Sequence, residues 1–381
     1  MVIVVITGGS GFVAQHLIKH LQENVTDIVS EIRTIDRKQF TQYLSWPNRI
    51  PLHHFASDIS NASILEKVLT GADVVIHLAR KSLELTSIIY EKNLSENYWK
   101  YNFQATEMLL NAMLTCSVAK LIFVGDAFAN LPNEDNFGLS EDIHPGLPET
   151  SFLLGDYGES LTKAELLGRS YVGKELKDGK TFHAHFLRPT FIYGEGHTKL
   201  INALKTVCEL NNGTMPYAGG SSRGMLQYVY AGNLAGFIES SLRNLLNNPD
   251  WCNGEYFYCT DETKAHKFKD FIAPVVEALG YKVGPERNFF LQYTSSYCAD
   301  LLTRYAGITW LNSGFSNISF RFLFGYSLGF LSRKHDLLFK YRPQVDYETH
   351  IGRLVKWVKQ QFDTNMKISG TKSNKNERKD V

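Results

Sequence analysis

The sequence predicts an α/β protein built on a doubly wound parallel sheet, with a smaller α+β lobe toward its C-terminal end. The first observation is the chain start, where a β-branched apolar run at residues 2–6 breaks at a glycine-rich turn and resumes as a helix. The second is the alternation of short apolar runs with helical patterns up to about residue 194. Strands that alternate with helices pair in parallel and carry helices on both faces. We therefore expect a Rossmann-type sheet.

The turn after the first strand predicts a dinucleotide site. Small residues fall at Gly8, Gly11 and Ala14, a spacing that allows a tight turn, close approach of a pyrophosphate and close packing of helix on strand. The helix N-terminus adds unpaired N–H groups and a positive dipole end. A glycine-rich turn that binds nothing is the alternative. The residues predicted to contact the cofactor here are Thr7, Gly8, Gly9, Gly11, Phe12 and Val13.

An acidic residue at the end of the second strand selects the cofactor. A helix from Val13 to about Asn24 is followed by a strand at residues 28–35 that ends at Asp36. A carboxylate about 20 residues after the glycine turn accepts hydrogen bonds from the adenosine ribose hydroxyls, which favours NAD. Arg37 would suit the 2′-phosphate of NADP, but the carboxylate would repel that phosphate. The predicted cofactor is therefore NAD.

The next strand ends supply further candidate contacts. A strand at residues 52–55 leads to Asp58 and Ile59, and we expect Asp58 to accept from the adenine amino group or to cap the following helix. Residues 74–79 form a fourth strand, where the small Ala79 lets the backbone pass close to the cofactor. His77, within this strand, is interpreted as a core histidine behind the site rather than a proton donor.

The remaining elements define three regions. We expect a helix at 98–113, strands at 120–124 and 182–187, and a helix that begins near Tyr157. The predicted regions are a dinucleotide-binding domain at 1–194, with 228–245 packing back on it, a substrate lobe at 195–362 and a disordered tail at 363–381. The tail is polar, charged and free of aromatic residues.

Composition excludes several classes. A net charge of +1 gives no reason to expect nucleic acid, and the five scattered cysteines show no metal or redox spacing. No apolar run reaches the 18 residues of a membrane span, and no basic region precedes the apolar start, so a cytoplasmic setting is expected. The aromatic segment 320–331, followed by Arg333, suits either a peripheral contact with an endomembrane such as the endoplasmic reticulum or closure of the substrate lobe. A homodimer is compatible with the sequence.

The order of these motifs resembles the extended short-chain dehydrogenase/reductase superfamily and, within it, the 3β-hydroxysteroid dehydrogenase/isomerase family. The resemblance covers about residues 1–362. It rests on the turn at 7–14, Asp36, Asp58, His77-Leu-Ala79, Asn102 with Ala105-Thr106, Tyr157 with Ala164-Glu165, Leu187-Arg-Pro-Thr190, Tyr193-Gly194, Tyr228-Val229, Asn233-Leu-Ala235, and Lys334-His-Asp336 with Tyr341-Arg-Pro343.

The resemblance implies hydride transfer between NAD(H) and the secondary alcohol or ketone of a small apolar, sterol-like substrate. It makes Tyr157 the catalytic residue with Asn102 in support, and it places Pro189 at the cofactor. In such enzymes a Lys four residues after the Tyr lowers the pKa of the phenol, which is ordinarily near 10. A Ser positions the substrate oxygen.

The chain departs from this pattern at two positions. Leu161 stands where the Lys is expected, and Lys163 lies about 240° around the helix from Tyr157. Gly125 and Asp126 occupy the corner where the Ser is expected, and a carboxylate there would raise the pKa of the phenol. Two alternatives to an active dehydrogenase stay open: a non-catalytic NAD(H)-binding protein, and a nucleotide-sugar epimerase or reductase on the same fold. The aromatic, apolar C-terminal third argues against the sugar substrate.

Overall fold

A computed structural model describes residues 1–86, 93–143, 147–148, 151–219, 223–261, 264–307, 314–343 and 346–376. The strands are β1 (Val2–Thr7), β2 (Val29–Asp36), β3 (Leu52–Ala56), β4 (Val74–His77), β5 (Lys120–Val124), β6 (Asn136–Leu139), β7 (His183–Pro189), β8 (Phe191–Tyr193), β9 (Thr214–Gly219), β10 (Met225–Leu226), β11 (Tyr228–Tyr230), β12 (Tyr256–Cys259), β13 (His266–Lys267), β14 (Lys282–Asn288) and β15 (Leu328–Phe330).

The helices are α1 (Phe12–Asn24), α2 (Ala62–Leu69), α3 (Leu94–Tyr98), α4 (Ala105–Thr115), α5 (Gly155–Tyr171), α6 (Thr198–Leu210), α7 (Ala231–Asn247), α8 (Phe268–Ala278), α9 (Phe289–Ala306), α10 (Asn317–Phe320), α11 (Arg333–Phe339) and α12 (Tyr347–Asn376). Two π-helical segments continue α3 and α10, at Trp99–Gln104 and Arg321–Gly325.

The central sheet has seven parallel strands in the order β12-β7-β5-β4-β1-β2-β3. The chain moves outward from β1 in one direction through β2 and β3, then crosses to β4 and continues the other way. The predicted doubly wound α/β fold is therefore confirmed. The carboxyl ends of β1 and β4 meet at the point where the direction reverses, and ligands bind in the crevice that forms there.

Helices cover both faces of this sheet. On one face α1 and α7 pack together, and their apolar side chains share a buried cluster with Val4 and Ile6 of β1. On the other face α2, α4 and α5 bury the opposite side chains, with Val5 among them. A strand with apolar side chains on both faces needs a helix layer on each side, which is why β1 reads as an uninterrupted apolar run.

The C-terminal half builds a second core beside the sheet. β9 pairs with β14, and β15 pairs with β6, in parallel in both cases. The aromatic side chains of segment 320–331 lie in this core, because Phe320, Phe322, Phe324 and Phe330 are at most 4% exposed. The segment therefore closes the lobe, as the second sequence interpretation expected, and these rings do not form a membrane-facing surface. Among the described residues, we find no helix both long and apolar enough to cross a bilayer.

Two helices differ from expectation. The helix expected at 98–113 begins earlier, at Leu94, and contains the π-helical segment with Asn102 at its centre. Helix α12 continues to Asn376, through most of the segment expected to be disordered. Buried Leu354 and Val358 anchor its first half, and each residue added to an existing helix gains a hydrogen bond. Residues 377–381 lie outside the described part of the chain.

Candidate functional site

A cleft of about 610 Å³ opens at the carboxyl ends of the central strands. One end is walled by the glycine turn and the tips of β2 and β3, and the other end reaches the start of α5 and the C-terminal lobe. The predicted site residues that line it are Gly8, Gly11, Phe12, Val13, Asp36, Asp58, Ile59, Ala79 and Tyr157. The fold thus brings together residues from five separate parts of the sequence.

The glycine turn is shaped by close backbone contacts. Gly8 has φ +72°, a conformation that L side chains rarely adopt, and a Cβ atom there would lie 2.9 Å from the backbone Cα of Ala79. The Gly11 N–H donates to the Gly8 carbonyl at 2.9 Å, which closes the turn. Gly11 precedes α1 as its N-cap and provides no side-chain cap. The first amides of α1 therefore remain available to a phosphate.

The turn is tied to the acidic residue of β2. The Asp36 carboxylate accepts from the backbone N–H of Ser10 at 3.1 Å and from that of Lys38 at 2.9 Å. These two bonds fix the carboxylate at the cleft wall, and each oxygen keeps a lone pair for a ribose hydroxyl. The Arg37 guanidinium lies 4.1 Å from the centroid of the Tyr101 ring and is directed toward Asp58. These residues fit the adenosine half of NAD.

Four predicted site residues do not line the cleft. Thr7 is fully buried, and its hydroxyl bonds to His77 on the neighbouring strand. Gly9 packs against Thr34, so closely that an added Cβ on Gly9 would lie 2.4 Å from the Thr34 Cβ. The Asn102 side chain bonds to Lys81 N and to the Ser160 hydroxyl and does not reach the cleft. Pro189 does not line the cleft, whereas its neighbour Thr190 does. One further correction concerns the cap of α2, which is Asn61 rather than Asp58. The Asp58 carboxylate accepts from Ser60 N at 2.9 Å.

A chain of hydrogen bonds holds the floor of the cleft. The Thr7 hydroxyl bonds to His77 Nδ1 at 2.7 Å and accepts from Ala79 N at 3.2 Å. His77 Nε2 bonds to the Thr106 hydroxyl at 3.0 Å, and that hydroxyl donates to the Asn102 carbonyl at 2.6 Å. Burial, with a smaller effect of a nearby arginine, lowers the pKa of His77 to about 4, so the ring is neutral. His77 thus stands behind the site, as predicted.

The Asn102 side chain completes this scaffold. Its Oδ1 accepts from Lys81 N at 2.8 Å, and its Nδ2 donates to the Ser160 hydroxyl at 3.0 Å. It therefore joins the loop after β4 to α5, the helix that carries Tyr157. A side chain with both ends engaged in this way, 1% exposed, positions the site and does not contact substrate. The supporting role expected for Asn102 is therefore structural.

Tyr157 reaches the cleft from the first turn of α5. Its hydroxyl donates to Asp126 Oδ2 at 2.8 Å. Burial, together with the Asp126 carboxylate, raises the pKa of Tyr157 well above its usual value, and the Arg80 guanidinium opposes this only in part. Leu161 lies one turn further along α5, buried in the apolar cluster that also contains Tyr157. The position one helical turn beyond the tyrosine is therefore apolar.

Sequence reasoning missed several residues that line the cleft. Arg80 follows the His77-Leu-Ala79 run, and its guanidinium donates to the Gly125 carbonyl at 2.5 Å. His197 stacks on Phe12 with ring centroids 4.2 Å apart, and Lys199 donates to the Ser82 hydroxyl at 2.5 Å. Arg80 could have been found from its position, because it is the first side chain after the strand end that passes the cofactor. His197 and Lys199 come from the N-terminal end of α6, which carries no such signal.

The comparisons with known proteins agree with this geometry. A model of the 3-beta hydroxysteroid dehydrogenase/isomerase family matches residues 5–290. The 3 beta-hydroxysteroid dehydrogenase/Delta 5→4-isomerase of Vaccinia virus (strain Ankara) is 25% identical over 290 residues, covering 74% of this chain and 79% of the viral protein. The decarboxylating sterol-4-alpha-carboxylate 3-dehydrogenase of Candida albicans is 24% identical over 373 residues, covering 93% of this chain and 97% of the yeast protein.

Solved structures share the fold at lower identity. MoeE5 in complex with UDP-glucose and NAD has a TM-score of 0.66 at 14% identity, with 94% of this chain and 99% of that chain covered. UDP-glucuronic acid 4-epimerase from Bacillus cereus, in complex with UDP-glucuronic acid and NAD, has a TM-score of 0.65 at 17% identity, with the same coverage. These likenesses show that the chain shares the fold of both proteins, and both of those structures contain NAD.

These findings establish the class of enzyme. The glycine turn and the fixed Asp36 carboxylate fit NAD, and the family match at residues 5–290 includes every residue that lines the cleft except Phe322. The chain is an NAD-dependent oxidoreductase and belongs to the 3-beta hydroxysteroid dehydrogenase/isomerase family.

Proposed function

We propose that the protein oxidises the secondary alcohol of a sterol-like substrate, with NAD as hydride acceptor. The observation that carries this proposal is the apolar end of the cleft beside Tyr157. Its wall is formed by Leu83, Leu85, Phe128, Leu154, Phe191 and Phe322. Three of these side chains, Phe128, Leu154 and Phe322, are almost completely buried.

The aromatic side chains of this wall pack against one another through ring–ring contacts. The rings of Phe128 and Phe322 meet edge to face with centroids 5.0 Å apart, and Phe191 stacks on Phe322 at 6.4 Å. A rigid apolar wall suits a flat, rigid ligand, since burial contributes about 25 cal/mol per Å² and little conformational entropy is lost. The relative from Candida albicans, whose name states a sterol substrate, supports the same class.

A nucleotide-sugar substrate is the second candidate, because the solved structures of this fold contain UDP-sugars. Such a substrate needs cations for its diphosphate. Arg80 and Lys199 line the cleft and already bond to Gly125 and Ser82. A diphosphate would have to displace those bonds, which favours the apolar substrate. A non-catalytic NAD(H)-binding protein is the third candidate and is motivated by Leu161.

The decisive experiment follows absorbance at the NADH band with NAD and a panel of 3β-hydroxysterols, with and without a 4-carboxylate, beside a panel of UDP-sugars. We expect NADH to form with at least one sterol, and Tyr157→Phe to lower the turnover number at least tenfold. Turnover of UDP-sugars alone would establish the second candidate. If no substrate is oxidised although calorimetry shows NAD binding, the protein is a non-catalytic binder.

We further propose that the protein attaches peripherally to an endomembrane through α9. The exposed side chains of this helix include Phe290, Leu291 and Tyr305, each at least 70% exposed. Aromatic and aliphatic side chains on one helix suit the interface between headgroups and acyl chains. The sequence-based candidate for this contact, segment 320–331, is buried in the core.

Co-sedimentation with phosphatidylcholine–phosphatidylserine vesicles tests this attachment. We expect the protein to pellet, and Phe290→Ser with Leu291→Ser to leave it in the supernatant. Leu337→Ser serves as the matched control, because Leu337 is also largely exposed but lies on α11. Wild-type protein that stays in the supernatant at low salt contradicts the proposal. If it also sediments at twice the monomer mass, the α9 face joins two copies of the chain.

A further inference from the structure

The catalytic tyrosine has a partner of a different kind from the two that usually assist it. Leu161 and Asp126 stand in place of the expected Lys and Ser. The Tyr157 hydroxyl donates its proton directly to Asp126 Oδ2 at 2.8 Å. The other oxygen of the carboxylate, Oδ1, accepts from the backbone N–H of Phe128 at 2.9 Å. The carboxylate is therefore fixed in orientation and aimed at the phenol.

A tyrosine can accept a proton from an alcohol in two ways. It can be ionised beforehand, which needs a neighbouring cation to lower its pKa. Alternatively it can pass its own proton to a base while it accepts a new one, so that it is never a free phenolate. The first way does not fit Tyr157, because the phenol is buried and hydrogen-bonded to an anion. The second way needs an acceptor at hydrogen-bond distance on the far side of the hydroxyl.

We propose that Tyr157 and Asp126 form a proton relay in which Asp126 is the terminal base. This proposal rests on the proposed oxidation of an alcohol. The substrate O–H bond breaks and its proton bonds to Tyr157 Oη, while the Tyr157 proton moves to Asp126 Oδ2. The carbinol hydride leaves with its electron pair for bound NAD⁺, so the alcohol is oxidised to a ketone and NAD⁺ is reduced. Protonated Asp126 then releases its proton to solvent through the open cleft.

Among the described residues, a cation and a second phenol lie close enough to the pair to act on it electrostatically. Arg80, after β4, stands opposite the pair and is anchored on the Gly125 carbonyl. The Tyr98 ring, from α3, meets the Tyr157 ring edge to face at 5.5 Å. Asp126 lines the cleft and is only partly buried, so it can exchange protons with water.

The pH dependence of the turnover number tests the relay. For the wild type we expect a rate that is flat from about pH 6 to 9, because Tyr157 never has to ionise on its own. Asp126→Asn should lower the turnover number at pH 7 about 100-fold, since general-base catalysis contributes roughly 10²–10⁴. Its remaining rate should rise tenfold per pH unit up to pH 9, because Tyr157 must then ionise by itself. Asp156→Asn removes an exposed carboxylate next to Tyr157 in the sequence and should leave the profile unchanged.

A second readout does not depend on activity. Tyrosine labelled with ¹³C at Cζ reports ionisation by NMR, and Tyr157→Phe identifies the signal of Tyr157. We expect Tyr157 to titrate at lower pH in Asp126→Asn than in wild type, because the anionic acceptor is gone, with calorimetry showing NAD affinity changed less than threefold. An unchanged titration overturns the relay even if no substrate is ever found. An Asp126→Asn enzyme with wild-type turnover and pH profile overturns it while leaving the proposed oxidation intact.

Discussion

Replacing Asp36 by alanine tests how the protein selects NAD. The carboxylate is held at the cleft wall by the amides of Ser10 and Lys38, which leaves it free to accept from the two adenosine ribose hydroxyls. Asp36→Ala removes this acceptor and its charge. The variant should therefore bind NAD less tightly and NADP more tightly than the wild type does.

The expected magnitudes follow from the interactions lost. A hydrogen bond to a charged acceptor is worth about 1.5–3 kcal/mol, so NAD should bind roughly 10–100-fold more weakly. Two unit charges about 4 Å apart repel by about 1–4 kcal/mol at effective dielectric constants of 80 to 20. Removing this repulsion should strengthen NADP binding by about fivefold or more. The ratio of the two dissociation constants should then change by about 100-fold.

Titration calorimetry with both cofactors measures that ratio. Ile59→Ala is the matched control, since Ile59 carries no charge and lines the cleft where the adenine ring, common to both cofactors, is expected. It should weaken both affinities equally and leave the ratio unchanged. Equal affinity of the wild type for NAD and NADP, or the same ratio in Asp36→Ala as in wild type, would refute the assignment.

Three further predictions concern the glycine turn, a buried carboxyl group and the tyrosine. Gly8→Ala should destabilise the fold by about 2–5 kcal/mol in urea denaturation, because its φ is positive and the new Cβ would meet the backbone of Ala79. Gly71 has the same φ of +72° but no atoms near the added Cβ, so Gly71→Ala should cost only about 1–2 kcal/mol. Burial raises the pKa of Asp261 to about 7, so the free energy of unfolding of the wild type should fall by roughly 1.4 kcal/mol per pH unit as pH rises from about 4 to 7. Asp261→Asn should remove this dependence when urea denaturation is compared at pH 5 and pH 8. The same loss of stability between these two pH values in the variant and in the wild type would contradict the assignment. Leu161→Lys with Asp126→Ser rebuilds the usual tyrosine partners and should exceed Asp126→Ser alone in turnover; if it does not, the lysine is not the missing element.

The sheet could be predicted because its signals are local. Apolar runs that end at Thr7, Asp36 and His77, with a glycine turn after the first, are enough to define parallel strands and the crevice at their ends. The site residues on those strand ends are predictable for the same reason. The glycine motif contains Thr7 and Gly9, so sequence reasoning assigns both residues to the cofactor. In the structure both residues are buried and neither lines the cleft.

The rest of the site depends on contacts between distant segments. Nothing in the sequence near Arg80 indicates that its guanidinium reaches Gly125, 45 residues further on. The same holds for segment 320–331, whose aromatic composition suits a bilayer and a protein core equally well. Burial of an apolar segment is decided by what packs on it, and here the partners include Phe128 and Phe268 from earlier parts of the chain.

The hydrogen-bonded chain from Thr7 through His77 to Thr106 affects how the cleft responds to pH. Its members are uncharged hydroxyls, a carbonyl and an imidazole whose pKa lies near 4, so none of them changes charge between about pH 5 and 9. The charge of the cleft floor therefore stays constant over the physiological pH range. A proton taken up or released there during turnover is not buffered by this floor, and the pH response of the enzyme is set by groups above it.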